Sequence, residues 1–147
     1  MGPVAIPLHI RYFEADQQGV VFNMWYLAYF EDARNALLER AGFSLTQLLA
    51  SGHDIQVVRT EISWRGAVRW GDAVEVVAAV AALGRTSVTF DFAVRRTGED
   101  VVSGRTVYVI VAADGSGKRP LPDALRHALS PARPLHPADL STKEQAS

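Results

Sequence analysis

The chain has 147 residues, of which 48% are hydrophobic, so it has the size and apolar content of one packed domain. Its 15 basic and 16 acidic residues give a net charge of -1 without a block of like charge, which argues against nucleic acid as a partner. The lack of cysteine excludes disulfides, thiolate metal sites and a cysteine nucleophile. No apolar run approaches the roughly 18 residues of a membrane span, so we expect a cytoplasmic protein that does not enter a membrane.

The first predicted elements are a strand and a loop. Apolar residues alternate from Ile6 to Tyr12, which is typical of a half-buried strand, and Pro7 favours a position at the edge of a sheet. The residues that follow have no sustained period and end at Gly19, which predicts a loop.

A long helix is predicted next. No Gly or Pro interrupts residues 24–41, Asn23 is suited to be the N-cap, and Gly42 is suited to end the helix. Residues 24–30 are all apolar or aromatic, so we expect the first two turns of this helix to be enclosed by protein on every side.

The rest of the chain predicts a short helix and then strands. Ser44 can cap a helix that ends at Ala50. Long strands joined by tight turns are predicted over residues 55–66, 73–83, 87–96 and 101–113. A helical turn is predicted over residues 120–129. We expect one domain over residues 1–129 and a disordered tail over residues 130–147, which are rich in proline and small polar residues.

This order of elements predicts an α+β domain. Short turns require antiparallel neighbours, so the strands form one curved antiparallel sheet of about five strands. A sheet of this size encloses an apolar helix by wrapping around it. Residues 73–83 carry Val and Ala on both faces, which predicts that other copies of the chain cover the outer face of the sheet.

The segment from Tyr12 to Arg34 carries a distinctive pattern, Tyr-x-x-x-Asp-x-x-Gly-Val-Val-x-Asn-x-x-Tyr-x-x-x-Phe-Glu-x-Ala-Arg. Here the chain resembles the hotdog-fold acyl-CoA thioesterases of the 4-hydroxybenzoyl-CoA thioesterase and YbgC-like group, and the resemblance extends over roughly residues 1–130. It implies the hotdog fold and hydrolysis of an acyl-CoA or aryl-CoA to a free acid without a cofactor. It also implies a homotetramer built from dimers, with the site at the subunit interface.

Thioester hydrolysis needs an oxygen nucleophile and a donor that stabilises the oxyanion. Asp16, in the loop before the long helix, can act as a general base for water or as a nucleophile that forms a transient anhydride. Backbone N–H groups at the start of the helix can stabilise the oxyanion. The alternative is that Asp16 only makes an Asx turn ahead of Gly19.

The resemblance assigns roles to several residues of this pattern. It places the catalytic carboxylate at Asp16 and puts Tyr12 among the residues that line the site. Asn23 occupies the position where many YbgC-like members have His and the benzoyl-CoA type has Tyr, which is a departure from the family. The pattern also predicts that Gly19, Val21 and Tyr26 contact the substrate.

Basic and aromatic residues complete the predicted substrate site. Arg59, Arg65 and Arg69 stand on or just after the strand that the family places near the pantetheine channel, so they are predicted to bind the phosphates of coenzyme A. Phe22 and Trp64 are predicted to line an acyl or aryl pocket.

Other functions have less support or remain open. The four histidines have no metal-ligand spacing and there is no Gly-x-Ser-x-Gly motif, so we predict neither a metal site nor a serine hydrolase. A hotdog dehydratase acting on a hydroxyacyl thioester usually pairs a His with an acid, and the pattern contains no His. A module that binds an acyl thioester or another small molecule without turnover remains an alternative, and it would tolerate the loss of Asp16.

Overall fold

A computed structural model describes residues 1–130 of the chain. Its elements are β1 (Val4–Leu8), α1 (Trp25–Ala41), α2 (Leu45–Ala50), β2 (His53–Trp64), β3 (Val74–Leu83), β4 (Ser87–Arg96), β5 (Glu99–Ala112) and α3 (Asp123–Leu129). The strands form one antiparallel sheet of five in the order β1-β3-β4-β5-β2. The predicted α+β fold is confirmed. The predicted tail, apart from its first residue, lies outside the described residues.

Helix α1 packs on the inner face of the sheet, closest to β3 and β1. At its centre the Phe30 ring stacks on Phe92, with 4.7 Å between the ring centroids. A Cβ added at Gly104 of β5 would lie 2.6 Å from Phe30 Cε2, so this position needs a glycine for the helix to approach the sheet. Gly42 ends the helix in the left-handed conformation, with φ of 90°, as predicted.

The first strand differs from the prediction. It spans Val4–Leu8 and not residues 6–12, because Tyr12–Glu14 form a single 3-10 turn that starts the following loop. Pro7 lies on an edge strand as predicted, since within residues 1–130 β1 pairs with β3 alone. An edge strand is the position in a sheet that tolerates a proline, which has no N–H to donate.

The start of α1 also differs. The helix begins at Trp25, so the N-cap position belongs to Met24, whose side chain makes no capping hydrogen bond. Asn23 lies in a turn that closes when Trp25 N donates to Phe22 O over 3.0 Å. The prediction of Asn23 as the N-cap is therefore wrong.

The first turns of α1 are not enclosed within one chain, which corrects the prediction. Met24 is 62% exposed and Leu27 is 45% exposed. Helix α1 has its closest strand contacts with β1, β3 and β4, and these contacts do not cover the side chains of Met24 and Leu27. Exposed apolar side chains of this kind mark a surface that another protein chain can cover.

Strand β2 forms one edge of the sheet and carries a bulge. Val57 is opposite Tyr108 and Arg59 is opposite Val107, so Val58 is the extra residue. Both Val57 and Val58 are exposed. The bulge shifts the alternation of the strand, and β2 begins and ends two residues earlier than the predicted 55–66.

Candidate active site

Asp16 lies in a narrow loop whose two sides are held together by backbone bonds. Ala15 and Val21 form an isolated bridge at its base. Within the loop, Asp16 N donates to Val20 O over 2.8 Å and Gly19 N donates to Asp16 O over 3.0 Å. Gly19 has φ of 76°, which explains the glycine at the fourth position of this turn. The loop therefore presents Asp16 on a defined backbone.

The carboxylate of Asp16 is held by one of its oxygens. Oδ1 accepts from Gln18 N over 2.8 Å and from Val20 N over 3.3 Å. This is the Asx turn that was the alternative interpretation of Asp16. The residue is exposed, and Oδ2 accepts no hydrogen bond from any residue of the described range. The turn thus orients the carboxylate and leaves one oxygen available for chemistry.

A neighbouring segment, residues 67–72, supports the loop. Val21 N donates to Val68 O over 2.8 Å, and Trp70 N donates to Gly19 O over 3.3 Å. The guanidinium of Arg69 donates through Nη1 to Gln18 O over 3.1 Å. Arg69 is predicted to bind a phosphate. Within one chain it stabilises the Asp16 loop through this hydrogen bond.

A buried hydrogen bond between Tyr29 of α1 and Glu14 connects the start of the loop to the helix. The phenol of Tyr29 donates to Glu14 Oε1 over 3.0 Å, and Arg11 N donates to the same oxygen over 2.8 Å. The backbone of Glu14 accepts from Phe22 N over 3.0 Å. Burial raises the pKa of Tyr29, and the hydrogen bond to Glu14 raises it further. No pattern in the sequence indicates this pair, because a single Glu in an irregular loop looks like a surface charge.

We expect Tyr29→Phe to lower the free energy of unfolding by about 1–3 kcal/mol, since the buried Glu14 loses a donor. The phenol with the raised pKa stays neutral in the folded chain while it ionises in the unfolded chain above about pH 10. The free energy of unfolding therefore falls as the pH rises above about 10, and it should fall less steeply in Tyr29→Phe than in the wild type. Urea titrations at neutral and alkaline pH measure both effects.

Tyr12→Phe, at an exposed tyrosine, is the control. Equal stability of Tyr29→Phe and wild type would contradict the expectation.

Aromatic residues surround the loop in edge-to-face pairs. Tyr12, predicted to line the site, is 75% exposed and packs against Trp70 with 5.4 Å between centroids. Trp64 packs on Tyr26 with 6.1 Å between centroids. Phe22 is exposed at the end of the loop. The exposed fractions of Tyr12, Phe22 and Trp64 place all three on the surface of one chain.

Two predicted substrate contacts lie in the interior. Val21 and Tyr26 belong to the hydrophobic core, with relative exposures of 4% and 1%. Burial raises the pKa of Tyr26. Within one chain, both side chains pack in the core next to the loop and the start of the helix. Their contact with substrate remains a prediction.

The three predicted arginines do not converge. Arg59 pairs with Glu61 on an exposed side of β2. The guanidinium of Arg65 donates to Ser103 Oγ over 3.0 Å and lines an open groove of about 830 Å³. That groove also holds two further arginines and three acidic residues, so its charges balance. Of the three, Arg69 alone has a hydrogen bond to the Asp16 loop in the part of the chain that the structure describes.

The start of α1 offers backbone donors. In residues 1–130, the N–H groups of Asn23 and Met24 donate to no other group of the chain. Unpaired N–H groups at the positive end of a helix are suited to a developing oxyanion. Asn23 can therefore contribute through its backbone although its side chain is not a cap.

Other kinds of site find no support in the described residues. No group of three or more His, Asp or Glu side chains in residues 1–130 could hold a metal ion. Of the helices in that range, none has the length and apolar character needed to cross a membrane.

Comparisons with known proteins agree on one family. The model of the thioesterase superfamily matches residues 18–103, beginning two residues after Asp16. The acyl-CoA thioester hydrolase YbgC of Escherichia coli O157:H7 is 27% identical over 84 residues, which is 57% of this chain and 63% of that protein.

Two solved structures have a similar fold. A hypothetical protein of Thermus thermophilus, TT1821, is 33% identical with a TM-score of 0.78, over 86% of this chain and 96% of that one. A thioesterase from the same species, complexed with coenzyme A and Zn, is 29% identical with a TM-score of 0.75, over 89% of this chain and 96% of that one.

Proposed function

Because the chain belongs to the thioesterase superfamily, we propose that it hydrolyses an acyl-CoA or aryl-CoA thioester to a carboxylic acid and coenzyme A, with Asp16 at the reacting carbonyl. One observation carries the role of Asp16. Its carboxylate is oriented through Oδ1 while Oδ2 stays open, on a loop that leads within a few residues into the unpaired N–H groups of Asn23 and Met24. A base and an oxyanion donor are the two parts that this reaction needs.

The geometry is compatible with two routes. As a general base, Asp16 takes a proton from water, the resulting hydroxide adds to the thioester carbonyl, and the tetrahedral intermediate expels the thiolate of coenzyme A. As a nucleophile, Oδ2 adds to the carbonyl and expels the thiolate, and water then hydrolyses the anhydride. In both routes the N–H groups of Asn23 and Met24 donate to the oxyanion.

A screen of acyl-CoA and aryl-CoA thioesters, with release of free thiol as the signal, tests the function. We expect the purified chain to release coenzyme A from at least one member well above the spontaneous rate. Binding of thioesters without thiol release from any of them would instead support the non-catalytic binding module.

We also propose that the working form is a homotetramer built from dimers, with the site at the interface. In support, Val57 and Val58 lie exposed on the edge strand β2. Met24 and Leu27 lie exposed at the start of α1, and Leu27 lines a cavity together with Val57. A second copy that pairs along β2 would cover these apolar residues and the unpaired edge together. The cytoplasmic location remains a proposal.

We expect Val58→Lys to dissociate this assembly and to abolish thioester hydrolysis, because it places a charge in the proposed interface. Sedimentation velocity measures the change, with the wild type sedimenting as four chains of 16.0 kDa. Ala5→Lys puts the same charge at an exposed position on the opposite edge strand and should leave the assembly intact. A tetramer with Val58→Lys would rule out this edge as the interface.

A further inference from the structure

Residues 67–72 lie between β2 and β3 and against the Asp16 loop, and we call them the support segment. The support segment and the loop meet in an isolated antiparallel bridge between Val20 and Arg69. Hydrogen bonds donated by Val21 N and by the guanidinium of Arg69 join the same two stretches of chain. A displacement of the support segment would therefore move the backbone that carries the carboxylate.

Asp72 holds the support segment in a turn. Its Oδ2 atom accepts from Arg69 N over 2.9 Å, and Asp72 N donates to Arg69 O over 3.1 Å. Gly71 lies within this turn with φ of 89°, a conformation that favours glycine. Asp72 thus holds the backbone of Arg69, the residue that forms the bridge to the Asp16 loop.

The same oxygen of Asp72 connects this turn to the sheet. Arg96, the last residue of β4, donates through Nη1 to Asp72 Oδ2 over 3.3 Å and also to Ala67 O. The guanidinium therefore contacts both ends of the support segment. The side chains of Arg96 and Asp72 are 35% and 28% exposed, so water and salt screen this ion pair only in part. A charge-assisted hydrogen bond to a paired strand thus holds the support segment in place.

We propose that Asp72 and Arg96 are positioning residues for the carboxylate of Asp16 in thioester hydrolysis. This inference rests on the proposed function. The contacts run in sequence from the sheet to the loop: Arg96 holds Asp72, and Asp72 holds the backbone of Arg69. Arg69 in turn bridges Val20, whose N–H donates to Asp16 Oδ1 over 3.3 Å. The pair therefore helps to set where the open oxygen of the carboxylate points.

Asp72→Asn and Arg96→Gln each remove the ion pair. A displacement of about 1 Å at a reacting group can cost about 10²-fold in rate, and a loosened loop keeps the correct placement for part of the time, so we expect each variant to lower kcat by about tenfold. Arg96→Lys keeps the positive charge and should retain more activity than Arg96→Gln. Wild-type kcat in both Asp72→Asn and Arg96→Gln would overturn the proposal.

A second ion pair on the sheet provides the matched control. Arg105 Nε and Asp91 Oδ1 are 2.7 Å apart, and the two residues lie opposite each other on β5 and β4. Asp91→Asn therefore makes the same chemical change as Asp72→Asn, in an ion pair outside the support segment. Its kcat should equal that of the wild type.

A double-mutant cycle distinguishes positioning from a general loss of structure. A residue that acts only through Asp16 should have little effect once the carboxylate is gone. We expect Asp72→Asn to lower kcat by about tenfold when Asp16 is present and by less than about twofold in the Asp16→Asn background. Equal factors in the two backgrounds would show that Asp72 acts independently of Asp16, and they would overturn the proposal.

Amide hydrogen exchange separates this inference from the proposed function, because it needs no substrate. In Asp72→Asn and Arg96→Gln, the N–H groups of Val21 and Trp70, which bind across the loop and the support segment, should exchange at least about fivefold faster than in the wild type. The N–H of Ile110 in β5 is the reference and should keep its rate. Faster exchange without turnover of any thioester would keep the link between the pair and the loop and reject the hydrolase. Turnover with unchanged exchange and unchanged kcat would keep the hydrolase and reject the link.

Discussion

We expect Asp16→Asn to lower kcat for thioester hydrolysis by at least about 10²-fold, the effect of losing a positioned base or nucleophile. An amide neither accepts the proton of water nor attacks the carbonyl. It does keep an oxygen that can accept from Gln18 N and Val20 N, so the Asx turn and the fold should persist. Thiol release gives the rate, and circular dichroism with the unfolding midpoint shows whether the fold is retained.

The chain supplies a matched control for this variant. Asp114 also makes an Asx turn, in which its Oδ1 accepts from Ser116 N over 2.8 Å, in the exposed loop after β5. Asp114→Asn makes the same chemical change in the same local geometry away from the Asp16 loop. Its rate should equal that of the wild type. If Asp16→Asn also kept the wild-type rate, Asp16 would have no part in the mechanism.

The largest expected loss of stability is that of Phe30→Ala, at about 3–5 kcal/mol. Phe30 is fully buried, stacks on Phe92 and lies directly against Gly104. Its removal would leave a void between the helix and the sheet that these rigid elements cannot close. Urea unfolding measures the change through the transition midpoint and slope.

Phe13→Ala is the comparison for this loss. Phe13 is 60% exposed and packs edge to face on Trp25, so its truncation should cost far less than that of Phe30. Similar losses for the two variants would mean that the stack of Phe30 on Phe92 is not central to the stability of the fold.

Much of the fold could be predicted because local signals agreed with one another. Strand β4 has the predicted bounds, since its alternation is regular and a Thr97–Gly98 turn with two positive φ angles follows it. Ser44 caps α2 as predicted and accepts from Gln47 N over 3.2 Å. The resemblance to thioesterases is confirmed by the family model.

The errors arose where tertiary contacts decide the outcome. Whether Met24 and Leu27 are covered depends on where the helix lies above the sheet, which a residue pattern does not contain. The bulge at Val58 interrupts a strand that alternates in sequence. The pairing of Glu14 with Tyr29 joins residues fifteen positions apart, and no spacing rule marks it.

The candidate site was predictable only in part. Asp16 and Gly19 could be located because an Asp and a Gly three residues apart fit a tight turn. The availability of the Asn23 and Met24 N–H groups depends on the turn that precedes α1, whose geometry the sequence does not specify.

The bulge in β2 also bears on how a single chain avoids pairing with unrelated proteins. An exposed edge strand can recruit strands of unrelated chains and start aggregation. Val58 breaks the regular spacing of amide groups near the middle of this edge, so a foreign strand can pair in register only on one side of it. A second copy of the chain that paired along this edge would have to match the same bulge. The bulge therefore favours pairing between copies of this chain over pairing with an unrelated strand.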